Sequence, residues 1–164
     1  MHFVTPFYWM QFNNKLEEKM NQTYPKIVER IYALLEGCPD PDKKEDETGW
    51  SVKEIVGHLV DSVSNNHQRL SRYEANDHLQ FPGYDQILFV QRAHYHSFDF
   101  KTLLALWLNY NKLLLHLINH IPPAELSSTL AIGERPAITL EQLVKEYFAH
   151  LEMHEQQMRR IIGS

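Results

Sequence analysis

Two histidines, His150 and His154, stand four residues apart in the segment YFAHLEMHEQ, which runs from Tyr147 to Gln156. If this segment is helical, positions i and i+4 lie one turn apart on the same face, so the two rings project side by side. Two imidazoles at this spacing can bind one metal ion. Two ligands do not make a tight site, so a third must come from another part of the chain.

A third histidine, His58, lies in the segment IVGHLVDS, which belongs to an earlier predicted helix. His58 stands at the flank of the apolar stripe of that helix rather than at its centre. The stripe comprises Val52, Ile55 or Val56, Leu59, Val63, Asn66 and Leu70. A flank position in a helical bundle can reach a neighbouring helix, although the periodicity does not require it. His58, His150 and His154 are therefore the candidate ligands.

The pattern leaves a second interpretation of these histidines open. A histidine on an apolar seam is more often a hydrogen-bonded core residue than a ligand, and an HxxxH spacing alone is a weak signal. The chain has a second such pair, His116 and His120, which the helical periodicity turns away from the apolar stripe, so we expect it at the surface. His94 and His96 do not share a helical face and are expected in a loop or at a rim.

The spacing argues against several other kinds of active site. A zincin needs a glutamate directly after the first histidine, and residue 151 is a leucine. A di-iron centre of the ferritin type needs a glutamate three residues before a histidine, and those positions hold Tyr147, Leu151 and Ile55. Cys38 follows a predicted helix C-terminus, where the helix dipole raises a thiol pKa, so it is a poor nucleophile.

Composition narrows the class of protein further. The chain has 164 residues, enough for one domain with a buried core, and 43% of them are hydrophobic. The net charge is −5 and no run of Lys or Arg occurs, so no nucleic-acid partner is expected. No apolar stretch reaches the ~20 residues of a membrane helix, so no membrane association is expected. A single cysteine excludes an internal disulfide, which fits a cytoplasmic protein.

Four long helices are predicted, over residues 24–37, 51 to about 75, 99–121 and 138–162. Ser51 with Glu54 forms a predicted capping box, and Pro25 suits a first helical turn. Between the second and third helices we expect a turn at Pro82-Gly83 and a short helix near residues 85–92. Residues 129–132 are expected to approach strand geometry. Because few segments alternate strictly, we predict an all-α four-helix bundle rather than a sheet-based domain.

We divide the chain into a helical domain, residues 24–164, and an N-terminal segment, residues 1–23. The N-terminal segment begins MHFVTPFYWMQFNNK and lacks the basic start and apolar run of a signal peptide. It is expected to be an arm that packs on a partner, or else an added segment. Met20 could be the natural start of the chain.

The segments GWSVKEIVGHLVDS and FAHLEMHEQQMRRI resemble the DinB-like superfamily, and more narrowly its branch of metal-dependent hydrolases and thiol S-transferases. That family begins its second helix with a tryptophan and a capping residue, followed by a histidine in a His-Leu-x-Asp-Ser context. The matching residues here are Trp50, Ser51, His58, Leu59, Asp61 and Ser62. The segment PGYDQ resembles a Pro-x-Tyr-Asp element of the family, and the resemblance extends from Tyr24 to Ile162.

The resemblance implies an up-down-down-up bundle in which His58, His150 and His154 hold a nickel, zinc or iron ion. Relatives transfer thiols such as bacillithiol, mycothiol or glutathione to electrophiles, or isomerise maleylpyruvate with the help of a thiol. The implied partners are a small-molecule thiol or electrophile and a second copy of the chain in a homodimer. The alternatives are a non-enzymatic, metal-stabilised stress-response or binding module, and a plain bundle whose histidines only satisfy polar needs.

Residues around the candidate ligands have expected roles as well. A ligating histidine usually donates its other ring N–H to a partner, and Asp61 and Glu155 are candidates, although the periodicity turns Asp61 away from the seam. Tyr147, Asn66 and Tyr110 face the core side, where they pack in the core or line a pocket.

Overall fold

The computed structural model of the protein describes residues 22–73 and 79–163. In chain order these ranges contain α1 (Tyr24–Glu36), α2 (Val52–Arg72), β1 (Leu79–Phe81), α3 (Gln86–Ala93), α4 (Phe100–Asn119), β2 (Thr129–Ile132), β3 (Ile138–Thr139) and α5 (Leu140–Ile162). Short 3-10 turns occupy Tyr95–Ser97 and Pro123–Glu125. The predicted N-terminal segment, apart from Gln22 and Thr23, lies outside the described residues, as do residues 74 and 75, where the second helix was expected to end.

Local hydrogen bonds explain where the long helices begin. The Ser51 side chain accepts from the Glu54 amide at 3.2 Å while the Glu54 carboxylate accepts from the Ser51 amide at 2.8 Å, so the predicted capping box is confirmed. Asp99 caps α4 and Thr139 caps α5 in the same way, each through one side-chain oxygen. These bonds satisfy amides that have no partner within the helix.

The four long helices pack in an order that differs from their order along the chain. α4 packs on both α1 and α2, and α5 packs on both α2 and α1. Consecutive helices α1 and α2 therefore lie diagonally across the bundle. The centre is apolar: the side chains of Trp107, Leu59 and Leu151 are fully buried, and the rings of Tyr24 and Phe148 stack with centroids 3.8 Å apart.

A buried ion pair also joins α1 to α5. The Glu155 side chain is 4% exposed and accepts hydrogen bonds from Arg30 at 2.6 Å and from Arg159 at 2.9 Å. Two guanidinium groups thus compensate one buried carboxylate, and hydrogen bonds from Arg30 are the main reason why the pKa of Glu155 is lowered.

The prediction of an all-α fold is correct for the bundle and for the short helix α3, and wrong in one respect. A small three-stranded sheet lies beside the bundle, with β1 parallel to β2 and β2 antiparallel to β3. The expected strand geometry at 129–132 is β2 itself. The strands have two to four residues, which is too short for an alternating pattern to be recognised in the sequence.

Candidate metal centre

The three candidate histidines meet where α2 packs against α5. His58 is 1% exposed and His154 is 7% exposed, while His150 is partly buried. The ring of Trp50, just before the α2 cap, packs on the His58 ring with centroids 5.1 Å apart. The flank position of His58 thus faces inward, because the neighbouring helix α5 covers it.

The ring nitrogens of the three histidines converge. The Nε2 atom of His150 lies 3.1 Å from Nε2 of His58 and 3.0 Å from Nε2 of His154. One donor nitrogen from each residue lies within 4.8 Å of the other two. Within residues 22–73 and 79–163, this is the one cluster of three His, Cys, Asp or Glu side chains close enough to share an ion.

Burial keeps these rings neutral. It lowers the pKa of His58 to about 3, with further lowering from the charges of His154 and His150. It lowers the pKa of His150 to about 4, again with a contribution from His154. The pKa of His154 is lowered by burial as well, although the hydrogen bond with Gln157 opposes the shift. At neutral pH each ring therefore has one nitrogen with a free lone pair.

Hydrogen bonds among the rings cannot satisfy all three converging nitrogens. A neutral imidazole nitrogen either donates or accepts, so Nε2 of His150 cannot make a full bond with both of its neighbours. A buried nitrogen left without a partner costs about 1–3 kcal/mol. A divalent cation at the common point would accept all three lone pairs, since neutral imidazole is a good ligand for such ions. The donor set therefore fits a metal ion.

The outer ring nitrogens differ in their partners. Nδ1 of His154 lies 2.8 Å from Oε1 of Gln157, an acceptor, which puts the proton on Nδ1 and leaves Nε2 free to bind a metal. Nδ1 of His150 lies 3.5 Å from the Ser62 hydroxyl, and Nδ1 of His58 has no partner among the described residues. Asp61 and Glu155, the carboxylates considered as acceptors for a ring N–H of the ligands, bond to other residues instead. Asp61 accepts a hydrogen bond from Tyr95, and Glu155 pairs with arginines.

A cavity of about 510 Å³ gives access to the cluster. Its lining includes His58 and His150 from the cluster, together with Asn66 and Tyr147, so these two residues take the second of the two roles considered for them, whereas Tyr110 is not part of the lining. The hydroxyl of Tyr147 donates to Asn111 at 2.6 Å, which holds that ring in place. A cavity of this size accommodates a small molecule.

The residue before His58 is a glycine for a steric reason. A Cβ atom at Gly57 would lie 2.2 Å from ring atoms of Tyr95. The Tyr95 hydroxyl, in turn, donates to the Asp61 carboxylate at 2.8 Å. Gly57 thus lets the turn after α3 pack directly on α2 at the level of the histidine cluster.

The remaining candidates lie where the sequence analysis expected them, away from the cluster. His116 is exposed on α4 and His120 is exposed directly after it, and His94 and His96 are exposed near the end of α3. The thiol of Cys38 is partly buried, and burial is the main cause of its raised pKa, as expected for a poor nucleophile.

Three polar residues of the cavity wall were given no role by sequence reasoning. Arg69 on α2, Tyr84 after β1 and Arg135 after β2 all contribute to the lining. Tyr84 belongs to the PGYDQ segment, so a signal for it was present in the sequence. Arg69 and Arg135 gave no signal, because their positions depend on how the small sheet packs beside α2.

Comparison with known proteins identifies the family. A solved structure, "YfiT from Bacillus subtilis is a probable metal-dependent hydrolase with an unusual four-helix bundle topology", matches with a TM-score of 0.71 and 20% sequence identity, over 89% of each chain. This likeness shows that the two proteins share a fold. No curated protein sequence matches the chain significantly. The family model of the DinB superfamily matches residues 26–158, and the chain therefore belongs to the DinB superfamily.

Proposed function

We propose that the protein is a metal-dependent enzyme in which His58, His150 and His154 hold one divalent ion, Ni, Zn or Fe. The proposed reaction activates a thiol or a water molecule for transfer to, or hydrolysis of, a small electrophilic substrate. The observation that carries the proposal is the convergence of nitrogens from three neutral imidazoles, two buried and one partly buried, beside a cavity of about 510 Å³. The similarity to YfiT, which is described as a probable metal-dependent hydrolase, supports the same chemistry.

The chain's own residues have separable roles in this proposal. The three histidines would hold the ion through the converging Nε2 atoms, and Gln157 keeps the proton of His154 on Nδ1, so that its Nε2 would stay free for the ion. An ion held there supplies Lewis acidity, which lowers the pKa of a water molecule or thiol that it binds. No carboxylate contacts the cluster within the described ranges, so we assign no general base.

Metal uptake tests the proposal directly. The full-length protein is purified without chelator, and its metal content is measured by elemental analysis before and after dialysis against Ni, Zn or Fe(II). We expect close to one ion per chain in the natural protein and in His120→Ala, which alters the exposed HxxxH pair. We expect little or none in His154→Ala. Absence of any uptake by the natural protein would contradict the proposal.

Turnover is tested on the metal-loaded protein with a panel of thiols and model electrophiles, and with ester and amide substrates for hydrolysis. We expect activity that is lost with the metal and lost in His154→Ala. Activity that survives complete removal of the metal would show that the reaction does not depend on these ligands.

A non-enzymatic, metal-stabilised binding module is the second candidate. The observation that favours it is that the three rings belong to α2 and α5, so one ion would join the second and the last helices of the bundle. Metal uptake with a large gain in thermal stability, but without turnover on any substrate of the panel, would favour this function. The predicted homodimer and cytoplasmic location stay predictions. In the described residues no helix combines the length and hydrophobicity needed to cross a membrane.

A further inference from the structure

Arg69 is a buried cation on the wall of the same cavity. It lies near the end of α2 and is 7% exposed. Its guanidinium has five N–H groups, and one of them donates to Oδ1 of Asn66 at 3.4 Å. Among the described residues no carboxylate forms an ion pair with it. A buried charge normally has such a partner, because desolvation is costly.

In the part of the chain that the structure describes, the two glutamates that line the cavity do not pair with Arg69. Glu146 is occupied by Arg135 at 3.1 Å and by Gln142 at 3.0 Å, and Glu134 is exposed. Arg135, which also lines the cavity, is itself paired with Glu146. Burial is the main cause of the lowered pKa of Arg69; Tyr84 opposes this shift and Arg135 adds to it. The cavity wall contains two arginines and two glutamates, so its formal charge is balanced, and Arg69 is the one buried member of this set.

Helical spacing relates Arg69 to the histidine cluster. His58, Ser62, Asn66 and Arg69 all line the cavity from one face of α2, at intervals of four, four and three residues. The bond to Asn66 shows that the guanidinium is turned back along the helix toward His58. With a rise of about 1.5 Å per residue, positions 58 and 69 are about 16 Å apart along the helix axis, and the backward turn of the Arg69 side chain brings its guanidinium to a distance on the order of 10 Å from the cluster.

We propose that Arg69 binds an anionic oxygen group, a carboxylate or a phosphate, of the small molecule that reacts at the three-histidine centre. This inference rests on the proposed function and names its substrate class. The planar guanidinium fork matches the two oxygens of such a group and would gain a charge partner that no residue in 22–73 or 79–163 provides. The substrate therefore has an anionic end and a reactive centre separated by a distance on the order of 10 Å, and both His58 and Arg69 line the one cavity that would hold it.

The test measures binding of simple anions by isothermal titration calorimetry at neutral pH. Metal-free full-length protein is used first, so that an anion cannot bind through the ion. The probes are glutarate, inorganic phosphate and, as the uncharged counterpart of glutarate, glutaramide. We expect saturable binding of at least one anion. The anion that binds more tightly, glutarate or phosphate, shows whether the site prefers a carboxylate or a phosphate group. Loss of the charged hydrogen bonds in Arg69→Met should weaken that binding by about 10- to 100-fold.

Arg72→Met is the matched control. It removes the same charge from the same helix three residues later, but the Arg72 guanidinium is exposed and lies over the Phe81 ring, 5.8 Å from its centroid, outside the cavity. We expect Arg72→Met to change anion binding less than threefold, because screened surface charges contribute little. Arg69→Lys keeps the charge without the fork and provides a second variant if Arg69→Met does not fold. It should also weaken binding.

The outcomes separate this inference from the proposed function, because metal uptake is measured on the same samples. Metal uptake together with anion binding that is equal in Arg69→Met, Arg69→Lys and the natural protein would overturn the inference alone. An equal loss in Arg69→Met and Arg72→Met would also overturn it, since the effect would then be one of overall charge. The inference would also be overturned if no anion bound saturably, or if glutaramide bound more tightly than glutarate. Arg69-dependent binding without metal uptake would leave the anion site standing and contradict the proposed function.

Discussion

Nε2 of His58 lies 3.1 Å from Nε2 of His150, although 92 residues separate the two positions in the chain. The contact exists because α2 and α5, which are far apart in sequence, are neighbours in the bundle. Neither ring carries a charge at neutral pH, since burial lowers the pKa of both. Each neutral ring has one nitrogen lone pair that could bind a metal ion, and each gains a charge only in acid, so the pair leads to predictions about both metal and pH.

Metal should stabilise the fold, because an ion bound at this pair joins two helices only in the native state. At a free concentration about 100 times Kd, the ion should raise the free energy of unfolding by about 2.7 kcal/mol. Thermal unfolding of the natural protein and of His58→Ala, with and without added metal, measures the effect. The metal-dependent rise in Tm should be absent in His58→Ala and present in His116→Ala. An equal rise in all three proteins would show that the ion binds elsewhere.

Acid should destabilise the metal-free protein through the same histidines. In the unfolded chain a histidine binds a proton near its ordinary pKa of about 6.5, whereas folded His58 and His150 do so only near pH 3 and 4. Between these values the unfolded state binds more protons, so the free energy of unfolding rises with pH and falls as acid is added. The contribution of these histidines to the free energy of unfolding is fully present above about pH 6.5. Below that pH it declines by at most about 1.4 kcal/mol per pH unit for each histidine.

Urea unfolding at a series of pH values measures this decline. The double variant His58→Phe, His150→Phe should show a shallower dependence between pH 6.5 and pH 4, because it lacks both groups. His116→Phe with His120→Phe, on exposed positions, is the control. Identical slopes for the cluster variant and the natural protein would show that other groups cause the acid sensitivity.

Gly57→Ala should destabilise the protein, because the added Cβ would meet the Tyr95 ring at 2.2 Å. We expect a loss of about 1–3 kcal/mol from overpacking, against a gain of up to about 1 kcal/mol in helix propensity. Urea unfolding measures the net change. Gly37→Ala is the control, since its nearest new contact is 3.7 Å away.

A double-mutant cycle shows whether the clash with Tyr95 is the cause. In the Tyr95→Ala background the ring is gone, so Gly57→Ala should become neutral or stabilising. If Gly57→Ala costs the same in both backgrounds, the glycine is required for a reason other than this contact.

Glu155→Gln should weaken the link between α1 and α5. The buried carboxylate accepts from two arginines, but these side chains are 46% and 38% exposed and can turn to solvent. We therefore expect a loss of about 1–3 kcal/mol, below the range for fully buried pairs. Glu152→Gln removes an exposed carboxylate 3.6 Å from Arg30 and should change the stability by less than about 1 kcal/mol. Equal effects of the two substitutions in urea unfolding would contradict this account.

Local interactions allowed much of the fold to be predicted from sequence. The helix starts could be located because a cap such as Ser51 with Glu54 acts within one turn. The pairing of His150 with His154 could be predicted for the same reason, since a helix sets the spacing of residues four apart.

Contacts between distant segments were decided only by the tertiary structure. The periodicity of α2 left His58 at a flank, and its burial beside His150 depends on the packing of α5. The strands are too short to have a pattern of their own, and β1 forms only because residues 129–132 pair with it. In the sequence Arg69 resembles an ordinary surface arginine. It lies in the cavity wall because residues from the segments 83–86 and 132–135 line the same cavity beside the end of α2. Sequence periodicity determines which face of a helix is apolar, whereas the partner of that face is determined by the global packing of the chain.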